Sequence, residues 1–344
     1  MTENVRVQAT LDELTYDYTF TVFTPTFNRD RTLHRVYESL KAQTFRAFEW
    51  LIVDDGSTDA TAELIQQWKS LATFPIRYYY QPNSGKPVAI NKAVSLARGQ
   101  FFLIADSDDA FLPTTLQQFL FHWNSIPEGQ REFFSGVTCL CQDENGKRVG
   151  MKYPFDPTDS NLLEIHYRYR VRQEQWIMCR TDIMKEFPFP EVPGEKYVLE
   201  GVVWFKIARE YRSRFVNEML RIYCQGEDNQ ISRNPINSHM LTTVYYLHLM
   251  NKDLDWFLYA PFSFWRGAVV YAHFSFVIKN PWIAQWRGLT NWKARLLWLT
   301  GVVPGYFLAK RDIWRTGTEI ALSDRPVVEA AERRSQGASN ETCD

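Results

Sequence analysis

Paired cysteines, a basic excess, abundant glycine and long apolar runs are all missing from this 344-residue chain. The five cysteines, at positions 139, 141, 179, 224 and 343, form no Cys-x-x-Cys pair and have no histidine at zinc-ligand spacing. That argues against a disulfide framework and a zinc module, and the thiols read as buried residues of a reducing cytoplasm. Lysine and arginine number 39 against 40 aspartate and glutamate. A chain that binds nucleic acid by neutralising phosphates carries a clear basic excess, so nucleic acid is not an expected partner. Sixteen glycines are too few for a collagen-like repeat. No stretch reaches the roughly 18 uninterrupted apolar residues of a spanning helix. The best, Leu296 to Leu308, contains Pro304. The first 18 residues carry early acids and no apolar signal core, so the expected location is cytoplasmic, with any contact to the inner membrane peripheral. What is present is a core: 45% hydrophobic and 15% aromatic residues exclude low-complexity disorder.

Over the first 125 residues short apolar runs alternate with amphipathic segments. Strands are expected at Phe20 to Thr24, Glu49 to Val53, Ile76 to Tyr80 and Phe101 to Ala105. Helices are expected at Arg31 to Gln43, from a Ser57 or Thr58 cap to about Lys69, and at Lys86 to Ala97, the last closed by Gly99. Strict alternation implies βαβ units: an α/β, Rossmann-like, mainly parallel sheet with helices on both faces. Residues 126–235 read as an α+β continuation, with antiparallel pieces at Phe133 to Gln142 and Trp176 to Arg180 and a helix from Gly201 to Tyr211. Residues 236–322 read as an α-helical, aromatic-rich C-terminal region, residues 1–17 as a lead and 323–344 as a polar tail.

Three strands end in polar clusters, and in open α/β sheets ligands bind beyond the carboxyl ends of the strands. Asp106-Ser107-Asp108-Asp109 sets three carboxylates together, which repel unless a cation neutralises them, and oxygen ligands suit Mg²⁺ or Mn²⁺. A calcium loop fails on spacing, because Phe111 stands where Gly is required and Gln117 where Glu is. In Asp54-Asp55-Gly56-Ser57-Thr58-Asp59, turn and capping roles account for Gly56, Ser57 and Asp59, but leave a carboxylate free to accept from a base or ribose. In Asn83-Ser84-Gly85-Lys86 a lysine opposes the dipole of the helix it begins, which suits a diphosphate better than it suits the helix.

Phe23-Thr24-Pro25-Thr26-Phe27-Asn28-Arg29, Leu51 to Asp59, the Asn83 to Lys86 loop with Asn91, and Asp106 to Asp109 occur in this order. Together they resemble the inverting family 2 glycosyltransferases of bacterial surface-glycan type, which have a GT-A fold. The resemblance is close over residues 18–125, the nucleotide-sugar half, and looser over 126–235, the acceptor half. It implies that Pro25 and Phe27 line the nucleotide base and that Asp55 bonds it. Lys86 would lie near the diphosphate, Asp106 and Ser107 near ribose and donor sugar, and Asp108 would ligate the metal. Phe27 stands where the family often has Tyr. The resemblance also implies a general base at the start of an acceptor-side helix, and Glu200, before Gly201-Val202-Val203-Trp204, fits. Glu227-Asp228 is the rival base, and His239 a candidate further metal ligand. The QxxRW signature of processive members is absent.

These readings imply transfer from a nucleotide-diphosphate sugar, UDP-linked, to a glycan or lipid-linked glycan acceptor, with Mn²⁺ or Mg²⁺ as cofactor. Two alternatives stand beside it: a catalytically inactive nucleotide-sugar-binding scaffold, and a sugar nucleotidyltransferase, which would carry a glycine-rich loop where Pro25 to Arg29 has none. In the C-terminal region seven of the 12 tryptophans mix with cations, which suits either buried helix packing or a bilayer interface.

Overall fold

The computed structural model describes residues 15–172, 174–224 and 239–316. The order opens β1 (Tyr18–Thr26), α1 (His34–Lys41), β2 (Phe48–Asp54), α2 (Thr61–Leu71), β3 (Ile76–Tyr80), α3 (Lys86–Leu96), β4 (Gly99–Ile104). It continues β5 (Ala110–Phe111), α4 (Thr115–Asn124), β6 (Phe134–Gln142), β7 (Arg148–Val149), β8 (Thr158–Ser160), α5 (Leu162–Tyr167), β9 (Gln175–Arg180), α6 (Thr181–Glu186), α7 (Gly201–Glu210) and β10 (Arg212–Ile222). Four helices follow: α8 (His239–Lys252), α9 (Pro261–Val277), α10 (Trp282–Gly288) and α11 (Trp292–Thr316).

The strands make one sheet in the order β3-β2-β1-β4-β9-β6-β10-β5, with β7 beside β6 and β8 beside β10. β3, β2, β1 and β4 are parallel, as the alternating pattern requires, while β9 runs antiparallel to both β4 and β6. Alternate side chains feed two cores. Phe20, Val22, Trp50 and Ile52 pack with Tyr37 and Trp68 of the helices on one face, where Tyr37 and Trp68 stack at 4.5 Å. Phe23, Leu51 and Val53 pack with Ile90, Val203 and Ile207 on the other. Each such buried side chain contributes about 1.5–3 kcal/mol of transfer free energy, so the two-faced pattern holds the central strands rigid behind the loops they present.

At three element ends the difference from the sequence expectation has a visible local cause. α1 starts at His34, since the Thr32 and Leu33 amides donate to the Arg29 carbonyl in a preceding turn. Neither Ser57 nor Thr58 caps α2: the Ser57 hydroxyl accepts from the Asn28 amide and the Thr58 amide donates to Asn28 Oδ1, so both are spent on the loop after β1. Asp59 takes the terminus instead, with Oδ1 accepting from the Thr61 amide and hydroxyl. Gly99 opens β4 and does not close α3. Among the described residues, no helix is long and apolar enough to cross a membrane, and Cys139, Cys141, Cys179 and Cys224 are buried and form no disulfide.

Candidate active site

The carboxyl ends of β1, β2 and β4 meet the start of α7 in a cleft of about 980 Å³. Pro25, Phe27, Asp55, Lys86, Asp106, Ser107, Asp108 and Glu200 all line it, so these eight expected site residues reach one cavity. Phe27 is 44% exposed, leaving its ring face open to a flat ligand. The next residue, Asn28, has φ 53°, a left-handed conformation that asparagine tolerates, and its bonds to Ser57 and Thr58 tie the first loop to the second.

The two acids after β2 are anchored. Asp54 accepts from the Ser57 amide and the Tyr78 hydroxyl, both at 2.8 Å. Asp55 Oδ1 accepts from Gln81 Nε2 and the Ser84 amide, and Oδ2 from the Gly85 amide, each at 2.8 Å. Asp55 therefore shapes the loop that carries Lys86 as well as lining the cleft. That loop needs glycine: Gly85 has φ +101°, and a Cβ there would lie 2.6 Å from Lys196 Cα.

Lys86 joins the two halves of the cleft. Its Nζ donates to Asp106 Oδ1 at 2.8 Å and to Glu200 Oε1 at 2.7 Å. Asp106 Oδ2 accepts from Arg221 of β10 at 3.0 Å, and Arg221 also bonds Asp109. Burial pushes the Asp106 carboxyl up, but Lys86 and Arg221 outweigh it and hold it at about 2. Glu200 sits at the N-terminus of α7 without capping it; Oε2 instead accepts from Trp204 Nε1 at 3.3 Å. The carboxylate thus faces the cleft, as a base requires and as a helix-terminal cap would not.

The Asp106–Lys86 pair yields a pH-dependent expectation. Because the folded-state pKa of Asp106 is lowered from 3.8, the stability it contributes is complete above pH ~4 and is lost as pH falls towards 2. Lys86→Met should cost about 2 kcal/mol at pH 7, and its deficit against the wild type should shrink across that acid window in thermal melts.

Asp108 carries the metal question. Burial first, and the Asp106 charge second, raise its carboxyl above the ordinary value. A carboxylate destabilised in this way, lining a cleft beside a second acid, fits a hard divalent cation. Among the described residues no three His, Cys, Asp or Glu side chains gather as a closed metal cage. The donor set therefore fits a cation held by one carboxylate and completed by phosphate and water oxygens, the coordination Mg²⁺ favours. His239 does not line the cleft and stacks on Phe274 at 5.3 Å, while Glu227 and Asp228 lie outside the described residues.

Sequence reasoning missed Arg221, Glu174, Trp176 and Tyr197, which also line the cleft. Glu174 titrates above the ordinary value through burial. For Arg221 a signal existed: a lone cation between apolar residues in Met219-Leu220-Arg221-Ile222.

Residues 21–176 match the family description "Glycosyl transferase family 2". Among relatives, the chain is 32% identical over 123 residues to the putative teichuronic acid biosynthesis glycosyltransferase TuaG of Bacillus subtilis, covering 36% of this chain and 48% of TuaG. It thus spans about half the length of that relative. It is 23% identical over 307 residues to the GalNAc(5)-diNAcBac-PP-undecaprenol beta-1,3-glucosyltransferase of Campylobacter jejuni, covering 84% of this chain and 95% of that one. Among solved structures, S. aureus TarS 1-349 in complex with UDP-GlcNAc superposes with a TM-score of 0.59 at 19% identity, over 87% of this chain and 92% of that one. The parallel β1 to β4 half, its helices on both faces and this superposition bear out the expected GT-A fold. The motif order, the match over residues 21–176 and the fold agree, and it is this segment of the chain that is similar to glycosyl transferase family 2.

Proposed function

We propose that the protein is a divalent-metal-dependent, inverting glycosyltransferase that moves a sugar from a UDP-sugar to a hydroxyl of a surface-glycan or lipid-linked acceptor. The observation that carries this reading is Lys86 Nζ, within 2.8 Å of Asp106 on the donor side and 2.7 Å of Glu200 on the other. That contact sets a potential base beside the lysine expected to lie near the diphosphate. The Phe27 ring and the Asp55 loop are assigned to the base, and Asp106 and Ser107 to ribose and sugar. Glu200 accepts the acceptor proton as the hydroxyl oxygen bonds to the anomeric carbon. The bond from that carbon to the diphosphate oxygen breaks in the same step, its electron pair leaves with the nucleotide, and the configuration inverts. A Mn²⁺ or Mg²⁺ bound at Asp108 would supply positive charge to the leaving diphosphate.

The donor class rests on the TarS complex with UDP-GlcNAc. The acceptor class rests on the teichuronic acid and undecaprenol-linked relatives. The test is a thermal-shift screen against UDP, GDP, CDP and TDP, each with Mn²⁺ or with EDTA. UDP with Mn²⁺ is expected to raise the melting temperature, with a gain of about 2.7 kcal/mol at 100 times Kd. A shift with another nucleotide reassigns the donor, and no shift with any of them overturns the reading.

A further inference from the structure

The last three helices hide one apolar face and expose another. On α11, Ala294, Trp298, Gly301, Gly305 and Ala309 are buried, and the two glycines let it lie close against α9: a Cβ on Gly305 would stand 2.7 Å from Ala272 Cβ. A surface helix packed in this way normally turns polar residues outward. Here the outward stripe is Trp292 (66% exposed), Leu296 (54%), Leu299 (51%), Val303 (59%) and Phe307 (66%), at the same helical spacing. Exposed Trp282 and Ile283 of α10 extend it into an apolar groove of about 780 Å³ with Phe276, Trp286, Leu299 and Val303 on its walls.

Charge selects the occupant. Between Pro261 and Thr316 there are eight lysines and arginines and one acid, Asp312, in a chain whose net charge is -1. Arg287, Lys293, Lys310, Arg311 and Arg315 are exposed around the stripe. A second copy docked on the same face would set these cations against their own equivalents, which an isologous interface penalises. Tryptophan and tyrosine mixed with lysine and arginine on an apolar helix face match the headgroup boundary of an anionic bilayer.

We infer that the outer face of α10 and α11 docks on an anionic lipid surface, α11 lying in the interface plane along its length of about 37 Å. The inference is independent of donor chemistry, and its failure would leave the transfer reading untouched. The test is sedimentation of the full chain with vesicles of phosphatidylglycerol and phosphatidylcholine, or of phosphatidylcholine alone. Binding is expected with the anionic vesicles and strongly reduced with the neutral ones. Lys293→Glu/Lys310→Glu/Arg311→Glu should weaken it by about 100-fold or more, and Leu299→Gln/Val303→Gln/Phe307→Gln should abolish it, with donor-induced melting shifts unchanged. Should a variant fail to fold, the wild-type comparison between vesicle types decides the matter. Equal binding to both vesicle types, no vesicle binding, unaltered binding by folded variants, or a dimer dispersed by the apolar variant without vesicle binding would each overturn the inference.

Discussion

Glu200→Gln is expected to lower kcat by about 10²–10⁴-fold, the range that a positioned general base contributes, while leaving donor affinity within about threefold. The substitution keeps the side-chain shape. Its amide oxygen can still accept from Lys86 Nζ, which bonds Glu200 Oε1 at 2.7 Å in the wild type, so the lysine and the Asp106 contact behind it stay in place. What disappears is the capacity to take a proton. A loss confined to kcat, with UDP binding intact by calorimetry, separates proton transfer from assembly of the cleft. Retention of more than a tenth of the wild-type rate would move the base elsewhere. Glu174 is the described carboxylate to examine next, since it also lines the cleft and titrates high through burial.

The donor half was largely legible in the sequence because both its fold and its chemistry are local. β3 runs from Ile76 to Tyr80, with the bounds expected from the sequence. Asp55 directly follows β2, Lys86 begins α3 and Asp108 lies four residues past β4, so their arrival in one cleft follows from the sheet topology. The missed features depend on contacts across the chain. Arg221 reaches Asp106 because β10 pairs in parallel with β6, a pairing between segments about 80 residues apart that periodicity does not specify. Ser57 looked like a helix cap because local rules favour it there, yet Asn28, 29 residues earlier, takes its hydroxyl. The apolar stripe of α11 was visible as composition only. Which of its two faces is buried depends on Gly301 and Gly305 meeting α9.

Asp108→Asn is expected to remove the Mn²⁺-dependent part of the UDP-induced melting shift, about 2.7 kcal/mol at 100 times Kd, and at the same time to stabilise the free protein slightly. The signs oppose each other for one reason. Burial and the neighbouring Asp106 charge raise the Asp108 carboxyl above 3.8, so at neutral pH its ionised form is penalised in the folded state and not in the unfolded one. A neutral isostere relieves that penalty and forfeits the charge that would hold a cation. Asp106→Asn should behave differently: its carboxylate receives the half-buried Lys86 and the buried Arg221, so its loss leaves both cations short of a partner and destabilises the free protein. Melting curves of both variants, each with EDTA, Mn²⁺, UDP and UDP with Mn²⁺, distinguish the two roles. A lower melting temperature for free Asp108→Asn together with an undiminished Mn²⁺-dependent shift would remove Asp108 from the metal site. A higher one with the shift abolished would assign it an acid kept at a cost to the fold because a cation and a diphosphate complete its surroundings.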